Sequence, residues 1–174
     1  LAIMLTGAAL IREREHGTLE HLLVMPLTPA EIMIAKVWAN GLIIVIAATL
    51  SLKVVVQGLL AVPIAGSVPL FVAGTALYLF SVTALGIFLA TIARSMPQFG
   101  LLALPIFTVM YLLSGGTTPL DSMPRWLQLA MQFSPSTHFV SLAQAILYRS
   151  AGFDVVWPSF AAVTAIGVLF FLSA

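Results

Sequence analysis

The sequence predicts an all-α protein, a polytopic bundle of membrane helices with amphipathic helices on its outer face. Of the 174 residues, 61% are hydrophobic and 7% are charged, whereas ordinary soluble domains are about a quarter charged. Apolar stretches recur at the length of about 20 residues that an α-helix needs to cross a bilayer. The net charge is +1 and cysteine is absent. Composition therefore gives no reason to expect a nucleic-acid partner and excludes disulfides and thiolate metal sites.

Three internal apolar stretches and two flanking ones make up the predicted bundle. We expect internal spans at 37–60, 68–93 and 99–113, and flanking pieces at 1–11 and 157–174. The third internal span contains Pro105, whose missing backbone N–H should kink the helix. Because both terminal pieces look truncated, residues 1–174 are expected to be a fragment of a single membrane domain.

The segment 114–156 is expected to carry two amphipathic helices on the outer face, because so long a connection is seldom structureless. Ser122 is the predicted cap of the first helix, and Ser134 followed by Pro135 is the predicted start of the second. The polar stripe of the first contains Arg125, Gln128 and Gln132; that of the second contains His138, Ser141, Gln144 and Tyr148. Both helices are too short to span, so we expect them to lie at the membrane face or dip into it.

The distribution of Lys and Arg predicts the orientation. One side of the bundle carries Arg12, Arg14, Lys36 and Arg94, and the other carries only Arg125 and Arg149. Positive residues favour the cytoplasmic side of membrane proteins. Residues 12–36 are therefore predicted to be cytoplasmic.

More than half of the charged residues lie between positions 11 and 36. After Gly17, Thr18 can cap a short helix whose leucines at 19, 22 and 23 form one apolar ridge, and Pro26 ends it. Thr28, Pro29 and Glu31 then form a capping box. A second helix should therefore start at about Pro29 and continue into the first internal span.

Two interpretations of this charge are open. Membrane topology requires Lys and Arg in cytoplasmic loops, which explains the arginines. Topology does not explain the acidic residues or the leucine ridge. A mixed-charge helix with an apolar ridge suits docking into a groove on another protein.

The segment EREHGTLEHLLVMPLTPAEIMIAK closely resembles the E-x-G-T-x-E-x-L-x-x-x-P motif between the second and third membrane helices of ABC-2 type permeases. These are the membrane subunits of bacterial ABC exporters, and the resemblance is greatest to the multidrug or antibiotic efflux branch. It extends through ARSMPQFG, LSGGTTPLDSMP and SPSTHFVSLAQAILYRSAGF. It implies a bundle of six membrane helices, of which this chain covers the end of the second to most of the sixth.

In that family the charged segment is the coupling helix, which seats in a groove of the cytoplasmic ABC ATPase subunit. The resemblance therefore implies a coupling segment at 12–26, made of Arg12, Glu13, Arg14, Glu15, Gly17, Thr18, Glu20, Leu22 and Pro26. It also implies a second permease subunit, identical or related, and export of a drug-like substrate. Gln144 replaces the basic residue of many relatives, so no charge-based role is assigned to it.

The chain has no G-x-x-x-x-G-K-[ST] motif, so it cannot hold ATP phosphates in a P-loop of its own. It is expected to be a permease subunit rather than an enzyme, with ATP and Mg²⁺ bound by the partner ATPase. The histidines at 16, 21 and 138 are far apart in sequence, so no metal site is expected. The alternatives are an ATP-independent membrane transporter, an intramembrane enzyme and a non-transporting membrane scaffold.

Lys53 is the one charge inside a predicted span. It lies within about 6 Å of the outer edge of a ~30 Å hydrocarbon core, so its side chain can reach the interface. The alternative is a role in substrate binding or helix pairing. His138 is expected to form a hydrogen bond within the outer segment rather than relay protons. Gly74 and Gly86 would allow close helix contact.

Overall fold

The computed structural model describes residues 2–15, 29–59 and 66–174. Within those ranges the chain is helical and contains no strand, which confirms the predicted all-α class. The helices are α1 (Ala2–Glu15), α2 (Pro29–Leu50) with a π-helical continuation (Ser51–Leu59), α3 (Val68–Ile92), α4 (Met96–Leu112), α5 (Arg125–Met131), α6 (Pro135–Arg149) and α7 (Phe153–Ser173). A 3-10 turn, Leu120–Ser122, precedes α5.

Three helical stretches in the described ranges are long and apolar enough to cross a membrane: Gly41–Leu59, Val68–Ile92 and Phe153–Ser173. The last was predicted as a partial span from 157. It starts at Phe153 and has 21 residues, enough to cross. α1 does not end with the apolar run at Ile11 but continues to Glu15. α4 has 17 residues and includes Pro105 without a break in the helix.

α3 is the central helix and packs against α1, α2, α6 and α7. Its middle, from Ser81 to Ile87, is buried on every side, which is the pattern of a helix surrounded by other helices. Gly86 faces the backbone of Ile3 in α1, and Gly167 of α7 faces the backbone of Ser81. The small residues therefore let the backbones of neighbouring helices approach closely, as membrane helix packing favours.

The contacts along α3 fix the directions of its neighbours. Phe160 lies by Gly74 and Gly167 lies by Ser81, so α7 runs parallel to α3. Only residues 60–65 separate the π-helical end of α2 from Gly66. A link of that length spans at most about 25 Å, which is less than the ~37 Å length of α3. With its middle packed beside the middle of α3, α2 must therefore run antiparallel to it.

α5 and α6 are joined by the turn 132–134, and α6 lies beside the first half of α3, the half predicted to face outward; the two helices and their turn are called the outer hairpin. α6 runs antiparallel to α3, because Ser136 contacts Tyr78 and Leu142 lies by Gly74. Tyr78 lies about 15 Å along α3 from its start at Val68, so the tip of the hairpin is about half the thickness of a ~30 Å hydrocarbon core away from that end. The position of the two helices relative to the membrane stays a prediction.

The structure corrects one predicted cap and qualifies another. Ser122 does not cap α5, because it lies in the 3-10 turn and its hydroxyl donates to the Pro119 carbonyl at 2.6 Å. The residue before a proline avoids the helical conformation, so Met123 is excluded and α5 begins only after Pro124. α6 begins at Pro135 as predicted, but Ser134 makes no side-chain capping bond.

Candidate functional site

The predicted coupling residues fall partly in α1 and partly outside the described ranges. Arg12, Glu13, Arg14 and Glu15 form the last turn of α1. Gly17, Thr18, Glu20, Leu22 and Pro26 lie outside the described residues. Ile3 and Gly7 lie by Gly86, and Gly7 also lies by Phe99 near the start of α4. α1 therefore runs parallel to α3, and Glu15 lies on the same side of the bundle as Arg94.

The capping box predicted at the start of α2 is also only partly described. α2 begins at Pro29, where the sequence predicted a helix start, and Glu31 lies in its first turn. Thr28 lies outside the described residues, so the capping box stays a prediction. Because α2 is antiparallel to α3, Pro29 begins on the side where α1 ends. The end of α1 and the start of α2 therefore lie on the same face of the bundle.

Lys53 lies in the π-helical stretch, near the end of α2 that faces the outer hairpin. Its side chain is exposed, whereas that of its neighbour Leu52 is buried. An exposed position near a helix end permits the ammonium group to reach the interface. This placement favours the surface interpretation, and the role of Lys53 stays a prediction.

A cavity of about 550 Å³ lies among α1, α2, α3, α4, α6 and the loop after α4. This size is typical of small-molecule sites. The wall is mostly apolar and its larger members are aliphatic or aromatic, among them Ile3, Ile44, Leu79, Val82, Phe107, Met110 and Phe139. Its polar members are Tyr78, Tyr111, Ser114, Thr117 and Ser136. None of the described residues that line it is charged, so this wall suits an apolar molecule with few polar groups.

The polar side of this cavity is built around Tyr78. The Tyr78 and Ser136 hydroxyl oxygens are 3.1 Å apart and share one hydrogen bond. The ring of Phe139 stacks on that of Tyr78, with centroids 4.2 Å apart and planes inclined by 11°. Across the wall, Ser114 donates to the Tyr111 carbonyl and Thr117 to the Leu112 carbonyl. Tyr78 is therefore held by a stacked ring and a hydroxyl at the cavity surface.

The start of α6, beside Tyr78, holds two more buried hydroxyls. The side-chain oxygens of Ser134 and Thr137 have no hydrogen-bond partner, and the two residues are 8% and 7% exposed. Buried hydroxyls are usually paired. Two further unpartnered oxygens, on Ser81 and Thr83, lie in the middle of α3. Unpartnered buried hydroxyls among the described residues therefore occur in two places, the start of α6 and the middle of α3.

Sequence reasoning missed Tyr78 and Ser136 as members of one site. They are 58 positions apart, and each alone reads as an ordinary polar residue in an apolar surrounding. A usable signal was present: a tyrosine in the middle of an apolar span needs a hydrogen-bond partner. The sequence does not say which of the many serines and threonines supplies it.

The glycines of α3 pack within the chain. A Cβ on Gly74 would meet Leu142, and one on Gly86 would meet the Ile3 backbone. The predicted close helix contact is confirmed at both positions. The partners are α6 and α1 of the same chain, so neither glycine is exposed for contact with a second subunit.

His138 forms the hydrogen bond expected of it. Its Nε2 lies 2.8 Å from the Gln132 carbonyl, to which it donates across the turn between α5 and α6. In the part of the chain that the structure describes, no three His, Cys, Asp or Glu residues come together as a metal site. The ring of His138 therefore serves to close the hairpin.

Comparison with known proteins shows where this architecture belongs. Residues 1–148 match the ABC-2 type transporter family. Over all of its length the chain is 60% identical to "Inner membrane transport permease YhhJ" of Escherichia coli K12, of which it covers 46%. It is 31% identical over 157 residues to "Probable multidrug ABC transporter permease YbhR" and 30% identical over 147 residues to "Probable multidrug ABC transporter permease YbhS" of the same organism.

The alignments cover 90% and 84% of this chain, and 42% and 39% of YbhR and YbhS. The chain thus spans less than half the length of these curated relatives. The three membrane-capable helices and the match to an inner membrane permease place it as a multi-pass protein of the bacterial inner membrane. The chain belongs to the ABC-2 type transporter family.

Proposed function

We propose that the complete protein is the membrane subunit of an ATP-driven exporter, which moves a hydrophobic or amphiphilic compound outward across the inner membrane. The observation that carries the proposal is the mostly apolar, uncharged cavity inside a chain of this family. The names of YbhR and YbhS, which describe multidrug ABC transporter permeases, also support a drug-like substrate. A cation-coupled transporter generally needs charged residues at its site, and the described lining of this cavity includes no Asp, Glu, Lys, Arg or His.

In this proposal a cytoplasmic ABC ATPase binds residues 12–26 and supplies both ATP and Mg²⁺. In sequence, the segment joins the end of α1 to the start of α2. A displacement of the segment would therefore be transmitted to two helices that line the cavity. A second permease subunit, identical or related, would complete the pathway. ATP binding would draw the two coupling segments together, and α2 would transmit the movement.

Reversal of charge in the coupling segment tests the proposal. Glu15→Lys together with Glu20→Lys in the complete protein should weaken co-purification with the ATPase by about tenfold or more. The double change replaces two acidic side chains by basic ones at a docking surface, where the charges of the two partners are complementary. Substrate export from membrane vesicles should fall with it. Asp121→Lys, an exposed reversal on the opposite side of the bundle, is the matched control and should leave both unchanged. Normal association and normal export in the double variant would exclude the coupling assignment.

A further inference from the structure

The cavity beside Tyr78 has a polar corner with one hydroxyl hydrogen that no described residue accepts. Tyr78 and Ser136 carry two hydroxyl hydrogens, and their mutual bond uses one of them. The other hydrogen has no partner among the described residues. Donors left in an apolar surrounding are costly, so this corner favours a molecule that brings an acceptor oxygen.

The start of α6 lies at the same corner, because Ser136 is in its first turn. The first N–H groups of a helix lack partners within the helix, and Ser134 makes no side-chain bond to them. The N-terminal end of a helix also carries partial positive charge. Both features favour an electron-rich atom beside Ser136. The buried hydroxyls of Ser134 and Thr137 are not among the residues that line the cavity, so they are not part of the site.

The apolar residues that line the rest of the cavity indicate the size and chemistry of the main part of the ligand. Phe107, Tyr111 and Phe139 present aromatic rings to the cavity, while Ile3, Val82 and Met110 present aliphatic or thioether surface. A volume of about 550 Å³ accommodates a molecule with two or three rings. Because the lining residues that the structure describes carry no charge, a cation or an anion buried deep in the site is disfavoured.

From this arrangement we infer that the cavity is a binding site for an uncharged, largely apolar aromatic compound with a carbonyl or ether oxygen. The oxygen accepts the free hydroxyl hydrogen of the Tyr78–Ser136 pair at the start of α6, and the apolar body lies against Phe107, Met110 and Val140. This inference rests on the proposed function, because it specifies the class of compound exported.

Photolabelling with benzophenone tests the site directly. This probe is uncharged, has two rings and carries one carbonyl. On irradiation its carbonyl oxygen takes a hydrogen atom from a nearby C–H group, and the two carbon radicals then join. The complete permease in phospholipid vesicles, without ATP or ATPase, should be labelled on Met110 or Val140, as identified by mass spectrometry. Label confined to other helix surfaces, such as the exposed face of α7, would overturn the inference.

The hydroxyl pair predicts a non-additive response. Tyr78→Phe leaves the Ser136 hydroxyl as a donor, and Ser136→Ala leaves the Tyr78 hydroxyl, so each change alone should alter the half-saturating probe concentration less than about twofold. The double variant removes both and should raise it about three- to tenfold, the value of one hydrogen bond. Tyr148→Phe with Ser141→Ala makes the same chemical changes on the exposed face of α6 and should have no effect. A double variant that binds as well as the wild type would also overturn the inference.

Further outcomes of the labelling experiment distinguish a lipid from an exported compound as the ligand. They also distinguish failure of the binding site from failure of the proposed exporter function. Vesicles supply phospholipid, whose ester carbonyls offer the same acceptor, in large excess over the probe. Label found in detergent but lost in vesicles would assign the cavity to lipid and contradict an exported compound. Export by the permease with its ATPase, but no label in the cavity, would refute the site alone. Label in the cavity without any ATP-driven export would refute the exporter alone.

Discussion

At Gly86 the absence of a side chain determines how closely α3 approaches α1. A Cβ placed there would lie 2.9 Å from the Ile3 carbonyl oxygen and 3.1 Å from its Cα, both backbone atoms that cannot rotate away. Gly41 in α2 is different, because a Cβ there meets nothing within 4 Å. The two glycines therefore form a matched pair for testing the packing of the bundle.

Gly86→Ala should destabilise the complete protein by about 1–3 kcal/mol, the usual cost of overpacking. Gly41→Ala should be neutral or stabilise it by up to about 1 kcal/mol, because alanine favours the helix. Thermal unfolding in detergent, followed by tryptophan fluorescence, measures both. Equal midpoints for the two variants would show that α1 and α3 are not packed as described.

Lys53 offers a second test on a single residue. Its side chain is exposed, so it can reach the interface without a partner inside the bundle. Lys53→Gln should therefore leave export within about twofold of the wild type, a change under about 0.5 kcal/mol. Export assays at matched expression decide this. A complete loss of export with normal expression would assign Lys53 to substrate binding or helix pairing instead.

Among the elements, α6 depends on a few buried side chains to hold it against the bundle. Leu142 is 1% exposed and lies between Gly74 of α3 and the α7 side of the core, and Ile146 is fully buried beside it. On the other arm of the hairpin, Leu129 of α5 is 54% exposed. The same residue type is thus buried on one arm and exposed on the other.

Leu142→Ala should lower the stability of the hairpin by about 2 kcal/mol or more, because it leaves a cavity in a packed region. Leu129→Ala should cost less than about 0.5 kcal/mol. Limited proteolysis between α4 and α7, at a fixed protease concentration, reports local opening of this segment. Faster cleavage of the Leu129 variant than of the Leu142 variant would contradict the packing of α6.

Sequence patterns predicted those elements whose cause is local. α3 was expected at 68–93 and occupies Val68–Ile92, because an uninterrupted apolar run begins after a turn and ends before Arg94. Pro135 marked the start of α6 for a similarly local reason. The start of α5 was missed because two signals competed, and the proline at 124 outweighed the serine at 122.

The cavity could not be predicted in this way. Tyr78 and Ser136 meet only because α6 folds back along α3, and the pattern of α6 shows its polar stripe but not its neighbour. The coupling segment is the reverse case. It was predicted from its motif and stays a prediction, because residues 16–28 lie outside the described residues. Local chemistry therefore predicts elements, and contacts between distant residues create the site.

For the molecule as a whole, the helix directions separate two groups of helix ends. The ends next to the predicted coupling segment lie on one side of the bundle, and the ends next to the outer hairpin lie on the other. Glu15, Pro29 and Arg94 lie at one end of the bundle, while the π-helical end of α2 and the start of α7 lie at the other, with the base of the outer hairpin. The side with Arg94 and the preceding basic residues should be cytoplasmic by the positive-inside rule. The proposed coupling depends on this orientation, because ATPase subunits work in the cytoplasm.

Single cysteines test the orientation without background from this chain, which has none. In a complete protein whose other cysteines are replaced, Thr118→Cys should react with a membrane-impermeant maleimide on intact spheroplasts, because Thr118 is exposed in the loop after α4. Ser95→Cys, between α3 and α4, should react only after permeabilisation. The opposite pattern would place residues 12–26 outside the cell, where no ATPase could bind them. It would therefore refute the coupling proposal while leaving the cavity and its ligand class to be tested separately.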